Sequence, residues 1–231
     1  MRHADLSGTI FRKRKEMNMK KIVCFGDSNT YGYNPENGAR FDENTRWPKV
    51  LQKMLGDGYE VIEEGQNGRT IANEDPWEGG TKCGMDYVLP MLETKRPDLL
   101  AIMLGSNDLK MKFNLPAPDI AGSLQTMLMK IRGYCRYYLN CPDMKILVIA
   151  PPALSEPFSE SYFAAFFDEK RVVERSKELA KWYGLVADQY GCEFLNATEK
   201  VSAGSVDHLH LDPAGHKMMA QLVHDKITQI L

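Results

Sequence analysis

The stretch Lys21-Ile22-Val23-Cys24-Phe25-Gly26-Asp27-Ser28-Asn29-Thr30 decides how the rest of the chain is read. Its opening run is short, largely apolar and partly β-branched, which predicts a buried strand over Lys21–Phe25. Glycine then permits a tight turn. A serine placed directly after such a strand can present its hydroxyl at the carboxyl end of a sheet.

The same strand-then-turn pattern recurs outward from this stretch. Further strands are predicted at Glu60–Glu64, Leu99–Leu104, Lys145–Ala150 and, more weakly, Glu193–Leu195. Between them, helical character is read at Pro48–Leu55, Gly80–Glu93, Asp119–Tyr138, Phe167–Tyr190 and Pro213–Ile230. Pro48 and Pro213 suit a first helical turn, where a missing N–H costs nothing. Repeated strand–helix alternation predicts an α/β fold with a parallel sheet covered on both faces. Right-handed crossovers leave few topologies. The expectation is a three-layer α/β/α fold with a flavodoxin-like, doubly wound, five-stranded parallel sheet of order 2-1-3-4-5.

Ligands in such sheets bind outside the carboxyl ends of the strands. The residues expected there are polar and glycine-assisted. Gly65-Gln66-Asn67-Gly68-Arg69-Thr70 follows the second strand, Gly105-Ser106-Asn107-Asp108 the third, and Asp207-His208-Leu209-His210 precedes the last helix. Together with Gly26-Asp27-Ser28 they hold what acyl transfer needs. A serine is a poor nucleophile until an imidazole takes its proton, and the imidazole needs a carboxylate to hold its tautomer. Asp207 precedes His210 by three residues, so one turn can bring carboxylate and ring together. The negative oxygen of a tetrahedral intermediate needs donors already in place. The backbone N–H groups of Ser28 and Gly68 and the side-chain amide of Asn107 are suited to that. Asp27 and Asp108 are read as structural carboxylates that brace their turns through backbone N–H groups. His216 and His224 are expected to be ordinary packing or surface residues.

Composition bounds the rest. The 231 residues suit one domain, assigned to 20–231, and the 43% hydrophobic content allows a sizeable core. Twenty-nine basic and 31 acidic residues give a formal net charge of −2, with no global attraction toward nucleic acid or an acidic membrane. No apolar stretch approaches the length of a membrane helix. Residues 1–19, with a basic cluster at Arg12–Lys15 and no apolar segment behind it, are expected to be a flexible leader rather than a secretory signal. Five cysteines without a CxxC pair argue against a disulfide framework or zinc site and for a reducing, cytoplasmic setting. His208, His210 and Asp212 offer too few convergent ligands for a metal, and no cofactor is expected.

The four blocks, in this order, closely resemble the SGNH (GDSL-type) hydrolase family, and the likeness runs from Lys20 to the C-terminus. Glu60–Gly65 and Met103–Asp108 are most similar to its bacterial arylesterase/acyltransferase branch. The resemblance implies a three-layer α/β/α fold and metal-free hydrolysis of short-acyl esters. It also implies Ser28 as nucleophile, Ser28, Gly68 and Asn107 as oxyanion donors, Asp207 and His210 completing the triad, and a homo-oligomer. Asn29, where many members carry leucine, and Glu63, often asparagine, put substrate choice in doubt.

The function expected is a serine carboxylic ester hydrolase acting on small acetyl or short-acyl, aryl or alkyl esters, with acyl transfer to alcohols as a second activity. The aromatic loop after Pro151, with Phe158, Tyr162, Phe163, Phe166 and Phe167, and Tyr31, Tyr33 and Trp47 near the first block, are read either as core or as pocket wall. One alternative is a carbohydrate acetylesterase on oligosaccharides. A non-enzyme alternative is an anion-binding module using the same rim.

Overall fold

Alternate residues of the central strands face opposite cores, and this divides the molecule into layers. In the computed structural model, which describes residues 19–231, Val23, Phe25, Leu100, Ile102, Ile146 and Val148 face one cluster. Ile22, Cys24, Leu99, Ala101, Leu147 and Ile149 face the other. A strand buried on both faces must be apolar at successive positions, and all five residues of Leu99–Met103 are buried. Apart from Met19, the leader expected over residues 1–19 and its basic cluster lie outside the described residues.

Five strands form one parallel sheet: β1 (Lys20–Gly26), β2 (Tyr59–Gly65), β3 (Leu99–Met103), β4 (Lys145–Ala150) and β5 (Glu193–Asn196). Their order is β2-β1-β3-β4-β5, as expected. The helices are α1 (Ser28–Tyr31), α2 (Trp47–Leu55), α3 (Gly84–Lys95), α4 (Ala117–Tyr134), α5 (Val172–Gln189) and α6 (Pro213–Ile230). Buried residues of α3, α4 and α5 fill the first cluster, and those of α2 and α6 the second. The fold is therefore three-layered α/β/α.

Register sets the site. Gly26 pairs with Gly65 on one side and Met103 on the other, so β1, β2 and β3 end level with one another. Gly65 is required by close approach, since a Cβ there would stand 2.2 Å from the backbone N of Tyr31 in α1. The turn that carries Ser28 can thus sit directly against the end of β2.

Three predicted boundaries shift, for local reasons. Helix α3 begins at Gly84 rather than Gly80, because the preceding chain is held in extended form: Thr70 N–H donates to Lys82 C=O, and Gly84 N–H to Thr70 C=O. Helix α5 begins at Val172 rather than Phe167. Phe167 bridges to Lys110 and packs edge-on against Phe158, which takes it out of the helix. Helix α4 starts earlier, at Ala117 after Pro116, and runs on beyond Tyr134 as a wider turn over Cys135–Leu139.

Candidate active site

Helix α1 is only one turn long, and Asp27 makes it possible. The Asp27 carboxylate accepts the Asn29 N–H at 2.9 Å, capping the turn that begins at Ser28. Ser28 is the first helical residue, and among the described residues no acceptor takes its N–H. Burial pushes the Asp27 carboxyl up to about 6, against the lowering effect of the Asn29 bond.

His210 stands over the serine, although 182 residues separate them in sequence. Its Nε2 lies 2.8 Å from Ser28 Oγ, and its Nδ1 lies 2.6 Å from Asp207 Oδ2. The other carboxylate oxygen, Oδ1, accepts the backbone N–H groups of His210 at 2.8 Å and Leu209 at 3.0 Å. Burial alone works to raise the Asp207 carboxyl. The His210 ring and the two amides outweigh burial and hold it below the ordinary carboxylate range. An ionised Asp207 only accepts, so Nδ1 carries the ring proton, and the Nε2 lone pair is left to face the serine hydroxyl.

The glycine block supplies a second donor. Gly68 has φ +77°, a left-handed conformation that glycine adopts without strain. Its N–H, like that of Ser28, has no acceptor among the described residues. Arg69 ties the block to the end of β1: its guanidinium donates to Gly26 C=O at 2.9 Å and to Glu64 C=O, and lies 4.4 Å from the Phe25 ring centre. Asn107 Nδ2 donates to Arg69 C=O at 3.1 Å. One N–H of that amide remains for the cavity, which Asn107 lines.

Asp108 joins the third block to the second. Both its oxygens lie 3.1 Å from the Ile71 N–H, and Oδ1 accepts from the Asn73 amide at 3.2 Å. Burial, reinforced by the charge of Asp27, pushes its carboxyl up to about 7.

Ser28, Gly68, Asn107 and His210 converge on one cavity of about 360 Å³. Its apolar lining is Tyr33, Trp77, Phe163, Phe166, Phe167 and Leu209, and its charged lining is Glu78, Lys110 and Lys112. Phe167 bridges to Lys110, so the aromatic loop reaches the charged residues. Phe158 and Trp47, two of the aromatics left open between core and pocket, are fully buried core residues.

The two departures singled out in the sequence do not line the cavity. Glu63 is held by Arg46, at 2.8 Å from its Nε, and by Arg40 at 3.3 Å. Asn29 turns the other way, toward the histidine loop. Its amide donates to Leu209 C=O at 3.4 Å and its oxygen accepts Leu211 N–H at 2.9 Å, one bond on each side of His210. Tyr162, read from sequence only as core or pocket wall, instead donates its hydroxyl to Asp207 Oδ2 at 3.2 Å. The neighbouring Ser161 hydroxyl donates to the Asp207 C=O at 2.5 Å. Nothing in the spacing of the aromatic loop signals these contacts.

His208 does not join His210 in a ligand pair; its Nδ1 is 2.9 Å from Ser155 Oγ, while Asp212 caps α6 through the Gly215 N–H. His216 is buried with Nδ1 accepting the Trp47 N–H, and burial pushes it down to about 4. Glu74, Cys83 and Asp86 bring ligand atoms within 4.8 Å of one another, but two of the three are exposed and none lines the cavity.

Comparison with known proteins identifies the family. The GDSL-like Lipase/Acylhydrolase family profile matches residues 24–218. The chain belongs to this SGNH-type family of carboxylic ester hydrolases. An acetylxylan esterase of Xylanibacter ruminicola is 25% identical over 214 aligned residues, and the match covers 88% of this chain but only 42% of that protein. The native aryl esterase of M. smegmatis superposes with a TM-score of 0.83 at 33% identity, over 92% of this chain and 100% of that one. A carbohydrate acetylesterase family member from Sinorhizobium meliloti superposes with a TM-score of 0.82 at 32% identity, over 92% and 99%. Among the described residues no helix is long and apolar enough to cross a membrane.

Proposed function

We propose that this chain cleaves small acetyl and short-acyl esters of aryl or alkyl alcohols through an acyl-enzyme on Ser28. The observation that carries the reading is the aligned set at the cavity floor, Ser28 Oγ to His210 Nε2 at 2.8 Å and His210 Nδ1 to Asp207 at 2.6 Å.

In this reading the Ser28 proton passes to His210 Nε2 as Oγ bonds the ester carbonyl carbon. Asp207 stabilises the imidazolium that results. The carbonyl oxygen becomes an oxyanion, accepting from the Ser28 and Gly68 N–H groups and the Asn107 amide, donors that need no rearrangement. The C–O bond to the alcohol breaks, His210 gives that oxygen the proton, and the alcohol leaves. Water then enters, gives its proton to His210 and attacks the acyl carbon, and Ser28 departs with the proton restored. An alcohol in place of water gives acyl transfer, which an apolar wall of Phe163, Phe166 and Phe167 would favour.

Turnover of p-nitrophenyl acetate by the purified chain tests this, alongside Ser28→Ala and His210→Ala. Both variants should lose nearly all activity, and a serine-directed phosphonate should label the wild type at Ser28. Unchanged turnover by Ser28→Ala would falsify the assignment. Failure to label would favour the anion-binding module.

A second reading, deacetylation of oligosaccharides, draws on the exposed aromatics at the cavity, Trp77 and Phe166, and on the acetylxylan and carbohydrate esterases among the relatives. Rates on acetylated xylo-oligosaccharides against aryl acetates separate the two. Five free cysteines support a reducing, cytoplasmic setting, and the same exposed aromatics support a homo-oligomer.

A further inference from the structure

The two sides of the cavity differ in a way that bears on which half of an ester each receives. Beside His210 the surface is aromatic: the Tyr33 ring centre lies 4.4 Å and the Phe163 ring centre 5.6 Å from the imidazole. Beyond Gly68 it is charged. Lys110 Nζ is 2.5 Å from Glu78 Oε1 and 3.0 Å from Asp75 Oδ2, and Lys112 also reaches Asp75. Asp75 is fully buried, so two carboxylates and two ammonium groups neutralise one another, and no charge is left over to hold an ionic substrate. Glu78 crowds the oxyanion side, since a Cβ on Gly68 would come within 2.8 Å of its Oε2.

The tetrahedral carbon carries four substituents, and three have their places. One is Ser28 Oγ. A second is the oxyanion, beside Gly68 and Asn107. The third is the leaving oxygen, which must lie within hydrogen-bond reach of His210 Nε2 to receive its proton. The alcohol therefore extends along Tyr33 and Phe163. The fourth substituent, the first carbon of the acyl chain, has to point away from His210, toward Glu78 and Lys110.

We propose that the Glu78–Lys110 pair is the stop that ends the acyl pocket and limits this enzyme to short acyl groups. The inference rests on the reading of Ser28 and His210 as nucleophile and base. A methyl group fits in front of the pair. A longer chain must either part the two charges or strand its methylenes against polar atoms, and both are unfavourable. The aromatic side, by contrast, tolerates variation in the alcohol.

The test holds the leaving group constant and varies the acyl chain. Values of kcat/KM are measured for p-nitrophenyl acetate, butyrate and octanoate with the wild type, Glu78→Ala, Glu78→Gln and Tyr33→Ala. Glu78 is 37% exposed, and Lys110 keeps Asp75 when it is lost, so these variants should fold. Wild-type rates should fall steeply with chain length. Glu78→Ala should raise the butyrate-to-acetate ratio about tenfold, the scale of discrimination one or two methylenes provide. Glu78→Gln keeps the bulk and should raise it far less. Tyr33→Ala should leave the acyl ratio unchanged while altering the ratio of aryl to ethyl acetate. An unchanged acyl ratio in Glu78→Ala, or a large one in Tyr33→Ala, overturns the acyl stop and leaves the esterase reading standing. No wild-type turnover on any ester overturns both.

Discussion

The floor of the cavity and its wall are built of different material. On the floor, the lining residues Ser28, Asn107 and His210 and the layer behind them, Asp27, Asn29, Asp108 and Asp207, are all buried, and each side chain has a hydrogen-bond partner within the chain. On the wall, Trp77 and Phe166 are 79% and 54% exposed, and they hang on connections rather than on strand ends. Groups that must keep a fixed relation to a reacting atom need locked rotamers, which burial and a second layer of hydrogen bonds provide. Groups that only meet substrate can sit on loops. If this division is right, substitutions on the floor should act on the chemical step and those on the wall on substrate range.

The sharpest way to break the comparison is at the carboxylate that holds His210. Asp207→Asn keeps the shape but favours the wrong imidazole tautomer, and kcat on p-nitrophenyl acetate should fall on the order of 10⁴-fold with little change in KM. A loss of tenfold or less would show that the floor does not depend on Asp207.

Next in size is a pH effect confined to the floor. Asp27 and Asp108 are raised to about 6 and about 7 by burial. Above the ordinary carboxyl range the unfolded chain has lost these protons while the folded chain still holds them. Their contribution to stability is therefore present at low pH and lost as pH rises through about 6 to 7. His216, lowered to about 4, works in the opposite sense, with stability lost as pH falls from its ordinary 6.5 toward that value. The wild-type profile mixes the two, but a difference from Asp27→Asn removes one carboxyl and, with it, the charge that helps to raise Asp108, both in the same sense. The asparagine keeps an acceptor for the Asn29 N–H. Relative to wild type, its Tm should rise by roughly several degrees between pH 4 and pH 7. A flat difference would mean that Asp27 titrates as if in water.

How much of this was legible in the sequence follows the same division. The strands, their order and the four strand-end turns could be read because two-sided burial imposes apolar runs and strand ends demand glycine, as at Gly65. Ser28, Gly68, Asn107, Asp207 and His210 could be placed at one rim because each follows a strand or precedes a helix. What could not be read depends on long-range approach. Nothing near Asn29 says that it reaches Leu209 and Leu211, some 180 residues on, and nothing near Tyr162 says that it meets Asp207. The early starts assigned to α3 and α5 failed for a related reason. Cys83 and Phe167 make bridges to other segments, which propensity does not register.

Asn29 offers the third test, because it joins two parts of the floor. Asn29→Leu leaves the buried Leu209 C=O and Leu211 N–H without partners, a cost of about 1–3 kcal/mol for each such group. Since His210 lies between them, the ring should lose its fixed height over Ser28. Expected are a fall in Tm of several degrees and about a tenfold drop in kcat, with KM unaltered. A change in acyl preference instead would put Asn29 on the wall.

The smallest effect should come from the residue where floor and wall touch. The Tyr162 hydroxyl lies 3.2 Å from Asp207 Oδ2, with Pro35 C=O at 3.3 Å and the Tyr33 hydroxyl at 3.5 Å also in range. It is the longest of the hydrogen bonds to the Asp207 carboxylate. The His210 ring at 2.6 Å and the two amides at 2.8 and 3.0 Å remain when it is removed. The residue is also half exposed, so water can replace the lost donor. Tyr162→Phe should therefore lower kcat only about two- to fivefold, near the net worth of one hydrogen bond, with Tm nearly unchanged. Because Tyr33 is within reach of the same hydroxyl, the ratio of aryl to ethyl acetate should shift more than the ratio of butyrate to acetate. A hundredfold loss of kcat would mean that the loop helps to hold Asp207 in its catalytic geometry. The wall would then belong to the chemistry as much as the floor does.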